Sequence, residues 1–126
     1  KLIESFRDRD IYVGSSKVLV MGVTFKENCP DTRNTKVFDL VESLQSHGVQ
    51  VDCYDPWIQP KTNQLQSNIS MIDEPKLNYY DGIIVTVAHD EFKEIGIDTI
   101  RGWGSNKHIL FDLKYIFKAE NVDLRL

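Results

Sequence analysis

Hydrophobic positions along the chain gather into three short runs too apolar for half-exposed strands, with helically spaced stretches between them. Lys17-Val18-Leu19-Val20-Met21-Gly22-Val23 is rich in β-branched residues and lacks polar alternation, the pattern of a strand covered on both faces of a parallel sheet. Gly82-Ile83-Ile84-Val85-Thr86-Val87-Ala88 is a second such run, and Lys107-His108-Ile109-Leu110-Phe111-Asp112 reads as the last. Val37, Leu40, Val41 and Leu44 recur at i, i+3, i+4 and i+7, one stripe of a helix. Asn34 or Thr35 is placed to cap its start, and Gly48 stands where a C′ glycine belongs. Val49 to Tyr54 alternates as a strand ended by Asp55-Pro56, so strand, helix and strand together predict a βαβ unit. His89-Asp90-Glu91-Phe92 opens a short helix with Asp90 or His89 near its cap, and Ile97, Ile100 and Trp103 predict another helical turn or two. Trp57 to Lys76 is weakly patterned, with room for a short strand at Ile69 to Ile72. Lys1 to Phe6 reads as helix already under way, so residues 1–11 are expected to be the end of a connecting helix from an upstream domain. Residues 12–126 show no repeat and no linker, and are expected to form one α/β domain, three-layered and Rossmann-like, with a mostly parallel sheet.

Composition narrows the function. The 126 residues suit a single domain. Fifteen basic and 19 acidic residues, in no long blocks, give a net charge of -4. That excludes the electrostatic footprint of a nucleic-acid binder and a polybasic membrane patch. No run approaches the roughly 18 apolar residues of a membrane span. Cys29 and Cys53 form neither a Cys-x-x-Cys pair nor a metal-ligand spacing with histidine, so no metal is expected and a reducing cytoplasm is the simplest compartment.

Candidate chemistry collects where ligands gather in open α/β sheets, beyond the carboxyl ends of the strands. A self-contained dinucleotide site would place Gly-x-Gly-x-x-Gly after the first strand; only Gly22 is present. Instead this loop carries Lys26 and Arg33, seven residues apart and just before a helix. Arg offers a planar fork and Lys a point charge to phosphate oxygens, beside the positive end of the helix dipole. Without a ligand the same residues read as a solvated polar loop. Asp55 lies 33 residues after Gly22, where a ribose-binding carboxylate would lie about 20 on, so a turn role with Pro56 is favoured. For His89 a capping or loop role is favoured over a substrate contact. His47 suits a helix C-terminus, His108 is expected exposed at a strand start, and Trp57 and Trp103 are expected to cover sheet faces or domain contacts. Cys29 reads as a bystander and Cys53 as a core strand residue.

Gly22-Val23-Thr24-Phe25-Lys26-Glu27-Asn28-Cys29-Pro30-Asp31-Thr32-Arg33-Asn34-Thr35 resembles the G-x-x-F-K-x-x-x-x-D-x-R-x-[ST] signature of the UDP-glucose/GDP-mannose dehydrogenase family, in its C-terminal domain. Val51 to Pro56 and Ile109 to Asp112 resemble later strand endings of the same domain. With its Asn-Cys-Pro-Asp form and Tyr54-Asp55-Pro56-Trp57, the chain is most similar to bacterial UDP-N-acetylhexosamine 6-dehydrogenases of the Vi-polysaccharide type. The resemblance implies that residues 12–126 bind the UDP of a UDP-sugar substrate. It also implies N-terminal and central domains of the same protein, which hold NAD and a catalytic cysteine and build a homodimer. The family oxidises the sugar C6 alcohol to a carboxylate in two NAD-dependent steps, supplying precursors of surface polysaccharide. Carried over by position, Phe25, Lys26 and Lys114 contact the nucleotide-sugar, and Arg33 reaches the NAD phosphates. Asp31 supports Lys26 or Arg33. No catalytic residue falls in this chain, which by itself is expected to be inactive. The alternatives are a free-standing nucleotide- or CoA-binding module and a flavodoxin-like signalling domain, for which Lys26 and Arg33 carry the wrong sign.

Overall fold

Strands β1 (Lys17–Met21), β2 (Gln50–Tyr54), β3 (Tyr80–Val85), β4 (Gly104–Asp112) and β5 (Leu124–Arg125) form one parallel sheet in the order β2-β1-β3-β4-β5. The computed structural model describes residues 2–8, 12–24, 26–28, 36–58 and 69–125. Helices α1 (Leu2–Asp8), α2 (Val37–Ser46), α3 (Asp90–Ile95) and α4 (Ile97–Gly102), with short 3-10 turns at Val13–Ser15 and Ala119–Asn121, complete the described elements.

Residues pointing alternately to two covered faces explain why Val18–Met21, Gly82–Val85 and Ile109–Phe111 carry no polar positions. Val18, Val20, Ile84, Ile109 and Phe111 face a core shared with Leu2 and Phe6 of α1 and Val37, Val41 and Leu44 of α2. Leu19, Met21, Ile83, Val85 and Leu110 face the other way, against Phe92 of α3 and Ile100 of α4. Both faces are therefore dry, and the three-layer expectation is met. Helix α1 reaches the sheet through Phe6, fully buried, whose ring fills the space where Gly82 lacks a side chain. Gly48, at φ 85, ends α2 by donating its N–H to Gln45 O, and His47 Nδ1 lies 3.0 Å from Ser43 O, consistent with its helix-end role.

Several boundaries differ from the pattern. The N-cap of α2 is Lys36, which makes no side-chain cap bond; Asn34 and Thr35 lie outside the described residues. His89 occupies the N-cap of α3 without capping it, because its ring turns inward, and Asn28 Oδ1 accepts the Asp90 N–H instead, at 3.0 Å. The stretch at Ile69 to Ile72 contributes a single parallel bridge, Met71 to Cys53, rather than a strand. Strand β4 begins at Gly104, earlier than Lys107, and slips register against β3 between Tyr80 and Gly82. His108 is accordingly mid-strand and half-buried, not exposed at a strand start; its Nδ1 lies 2.6 Å from Ser105 O. Cys53 is fully buried in the core, as its strand pattern predicts.

Two predictions follow from this packing. Burial, reinforced by Asp52 and Asp55, pushes the Cys53 thiol up from 9.0 to about 12. The unfolded chain ionises it near its ordinary value while the fold keeps the proton, so this contribution is complete below about pH 9 and declines by about 1.4 kcal/mol per unit up to about pH 12. Burial and the Asp52 hydrogen bond raise Tyr80 as well, which steepens the decline at the upper end. Urea midpoints measured from about pH 8 upward should fall accordingly, and Cys53→Ala should flatten the first part of the slope. At the other site, Gly22 has φ 108, and an added Cβ would lie 2.6 Å from Val87 Cβ. Gly22→Ala should therefore cost on the order of 2–5 kcal/mol in a urea titration.

Candidate functional site

Strand β1 continues through α2 to β2 on one side of the sheet, whereas β3 and β4 lie on the other. The chain thus reverses direction across the sheet between β1 and β3, the place where such folds open a crevice at their carboxyl edge. Thr86, just past β3, clamps this junction: its hydroxyl lies 2.8 Å from Met21 O and 2.6 Å from Gly22 O. Loops leaving parallel strands carry N–H groups with no ladder partner, and buried acceptors must satisfy them.

Two carboxylates do so. Asp55, at the end of β2 and 2% exposed, accepts the Val23 N–H through Oδ2 and the Trp57 N–H through Oδ1, both at 2.8 Å. Its Oδ2 also lies 3.0 Å from His89 Nε2. The turn role expected of Asp55 is therefore correct, and the loop role expected of His89 also. His89 is fully buried and accepts the Asn28 N–H on Nδ1 at 2.8 Å. Asp112, at the end of β4 and likewise fully buried, accepts the N–H groups of Lys114 and Ile116 on Oδ1 and of Phe117 on Oδ2. This winds the following loop tightly enough to hold Tyr115 at φ 57, with the Arg125 guanidinium 4.2 Å over its ring.

With Asp55 and Asp112 turned inward, the side chains left facing outward at this edge include cations beside the exposed acids Glu27 and Asp90. Lys26 is exposed in the loop after β1, and its carbonyl accepts the Thr24 hydroxyl at 2.9 Å. Lys114 is exposed after β4 and lines a cavity of about 310 Å³ with Lys36, Val37, Leu40, Thr86 and Leu113. Lys26 does not line this cavity; it follows β1, two strands from β4, a lateral separation of about 10 Å between strand axes. Phe25, Asp31 and Arg33 lie outside the described residues. Lys36 is absent from the sequence reading, and Asp112 enters it only as the end of the last strand. The signal that could have found Lys36 is its place immediately before a helix beside a cationic loop.

Neither a metal nor a dinucleotide fits the described residues. Among them no group of three or more His, Cys, Asp or Glu could hold a metal ion, and no helix is long and apolar enough to cross a membrane. The turn after β1 has one glycine, and the open side of Gly22 abuts Val87, so no bare backbone is left there to approach a pyrophosphate.

Residues 19–119 match the UDP-glucose/GDP-mannose dehydrogenase family, UDP binding domain. Across 126 residues the chain is 45% identical to UDP-N-acetyl-D-glucosamine 6-dehydrogenase of Pseudomonas aeruginosa and 44% identical to the protein of that name from Salmonella typhi. In both cases all of this chain aligns, and it spans 30% of the relative's length. The fold is shared with a UDP-D-ManNAc dehydrogenase from Pyrococcus horikoshii, with TM-score 0.72 and 24% identity, covering 94% of this chain and 26% of that one. Matched through all but its ends, from β1 to the loop beyond Asp112, the chain belongs to the UDP-glucose/GDP-mannose dehydrogenase family and corresponds to its UDP-binding domain.

Proposed function

We propose that these 126 residues are the nucleotide-binding part of an NAD-dependent UDP-sugar 6-dehydrogenase. The substrate is a UDP-N-acetylhexosamine or UDP-glucose, oxidised in the cytoplasm to a uronic acid for bacterial surface polysaccharide. The observation that carries this reading is the 45% identity to a UDP-N-acetyl-D-glucosamine 6-dehydrogenase along the whole chain.

The chemistry of the carboxyl edge supports it. Lys26 and Lys114, exposed on either side of the β3 exit, offer point charges to a diphosphate, and Lys114 does so at the mouth of a crevice with apolar walls. Phe25 adds an apolar contact to the nucleotide-sugar, and Asp31 orients Lys26 or Arg33. Residues 1–11 connect this domain to the upstream domains of the same protein, which hold NAD and form the homodimer. NAD supplies the electron acceptor when bound; this chain's part is to hold the substrate's nucleotide and, through Arg33, to reach the cofactor's phosphates. Cys53 is no nucleophile, since burial keeps its thiol protonated to about 12.

Two measurements test the reading. UDP titrated to millimolar concentration against the ¹⁵N-labelled chain should shift amides in the loops after β1 and β4. Lys26→Ala and Lys114→Ala should each weaken binding roughly tenfold, the cost of a lost hydrogen bond to a charged group; absence of binding, or indifference to both changes, would refute the assignment. In the longer protein the two loop cations should separate kinetically. Lys26→Ala should chiefly raise the KM for the UDP-sugar and Arg33→Ala that for NAD, whereas solvated charges would move neither by more than about twofold.

A further inference from the structure

His89 is too deeply placed to touch a ligand, yet its ring meets both sides of the Lys26 backbone. Asn28, two residues after Lys26, donates its N–H to His89 Nδ1 at 2.8 Å. That nitrogen must therefore present a lone pair, which leaves the proton of the neutral ring on Nε2. Nε2–H in turn faces Asp55 Oδ2 at 3.0 Å and Thr24 Oγ1 at 3.2 Å. The Thr24 hydroxyl spends its own proton on Lys26 O, at 2.9 Å, so its lone pair is available to the imidazole. Asn28 completes the circuit by accepting the Asp90 N–H on Oδ1. The Trp57 ring, 6.1 Å from the imidazole centre, flanks it. The ends of β2 and β3 are thus joined to the loop after β1 through one side chain, and the loop is fastened on each side of its exposed lysine.

We infer that His89 is a positioning residue for nucleotide binding: its Nε2–H tautomer, set by Asp55, holds the backbone around Lys26 so that the ammonium meets the diphosphate without ordering the loop first. This rests on the reading of Lys26 as a UDP contact. It explains why a histidine stands here, since the site needs an acceptor toward Asn28 and a donor toward Asp55 at opposite corners of one rigid ring. Holding the loop in its binding geometry lowers the entropy lost on association.

The test is a double-mutant cycle on UDP affinity, read by NMR titration of the 126-residue chain, with thermal melts run in parallel. His89→Gln places its amide at the Nε2 corner and abandons the Asn28 N–H; it should weaken UDP binding about fivefold or more. His89→Asn restores an acceptor at the Nδ1 corner and should recover affinity to within about threefold of wild type, whatever it does to the melting temperature. In a Lys26→Ala background His89→Gln should have no further effect, because the group it positions is gone. Equal UDP affinity in wild type and His89→Gln, or an undiminished effect of His89→Gln without Lys26, overturns the inference while leaving the UDP site standing. Indifference of UDP binding to Lys26→Ala overturns the site reading itself, and the inference with it. Should His89→Gln fail to fold, Thr24→Val breaks the other tie to Lys26 and must show the same loss and the same dependence on Lys26. The ¹⁵N shifts of the wild-type imidazole provide a check free of mutation, and a protonated Nδ1 in the neutral ring would refute the assignment.

Discussion

Buried carboxylates accepting backbone N–H groups are the interaction on which this domain's working edge depends. A parallel strand satisfies its own amides through the sheet, but the first residues beyond it have no such partner, and leaving them unpaired in a dry interior costs about as much as several surface contacts contribute. Asp55 and Asp112 stand at the ends of β2 and β4 and gather those amides, with His89 adding a donor to the first of them. Asp81 repeats the device at the opposite edge, accepting the Lys17 N–H and the Ser105 hydroxyl. Burying an anion is tolerable only when its lone pairs are filled, and here backbone donors supply most of that filling.

A consequence for electrostatics follows. The chain has net charge -4, a poor starting point for an anionic ligand. Because Asp55 and Asp112 point inward and are engaged by loop donors, they present little bare negative charge at the carboxyl edge, where Lys26, Lys36 and Lys114 meet solvent beside the exposed Glu27 and Asp90. The folded arrangement thus withdraws two acids from this edge, and overall balance says little about what one edge of a sheet can bind.

The fold was largely legible because β1, β3 and the end of β4 are buried on both faces, which leaves no ambiguity of period. Legibility failed where pairing is decided by geometry. The first residues of β4 are polar and sit at a register slip, and β5 is only two residues long, held beside β4 by the Asp123 carboxylate accepting the Leu110 N–H and the Arg101 guanidinium. At the site, Asp55 and His89 were each read correctly as loop residues, but their partnership spans 34 positions and no local pattern announces it. Asp112 looked like a strand ending because a buried acceptor and a polar boundary are written with the same letter. The loop cations were visible as chemistry; their assignment to a nucleotide came from the motif, and matching 19–119 to a family placed that motif in its domain.

The contact between α1 and the sheet has an implication for how this domain can change. The Phe6 ring occupies the hollow left by Gly82, where a methyl group would come within 2.8 Å of the ring's Cζ. Neither residue can therefore drift alone: bulk gained at position 82 must be surrendered at position 6, and a smaller residue at 6 leaves a hole in the core. Exchanges of size between these two sites, separated by most of the chain's first half and more, are the covariation this architecture permits. In any grafting of this domain onto another protein, the short helix carrying Phe6 has to travel with the sheet it plugs.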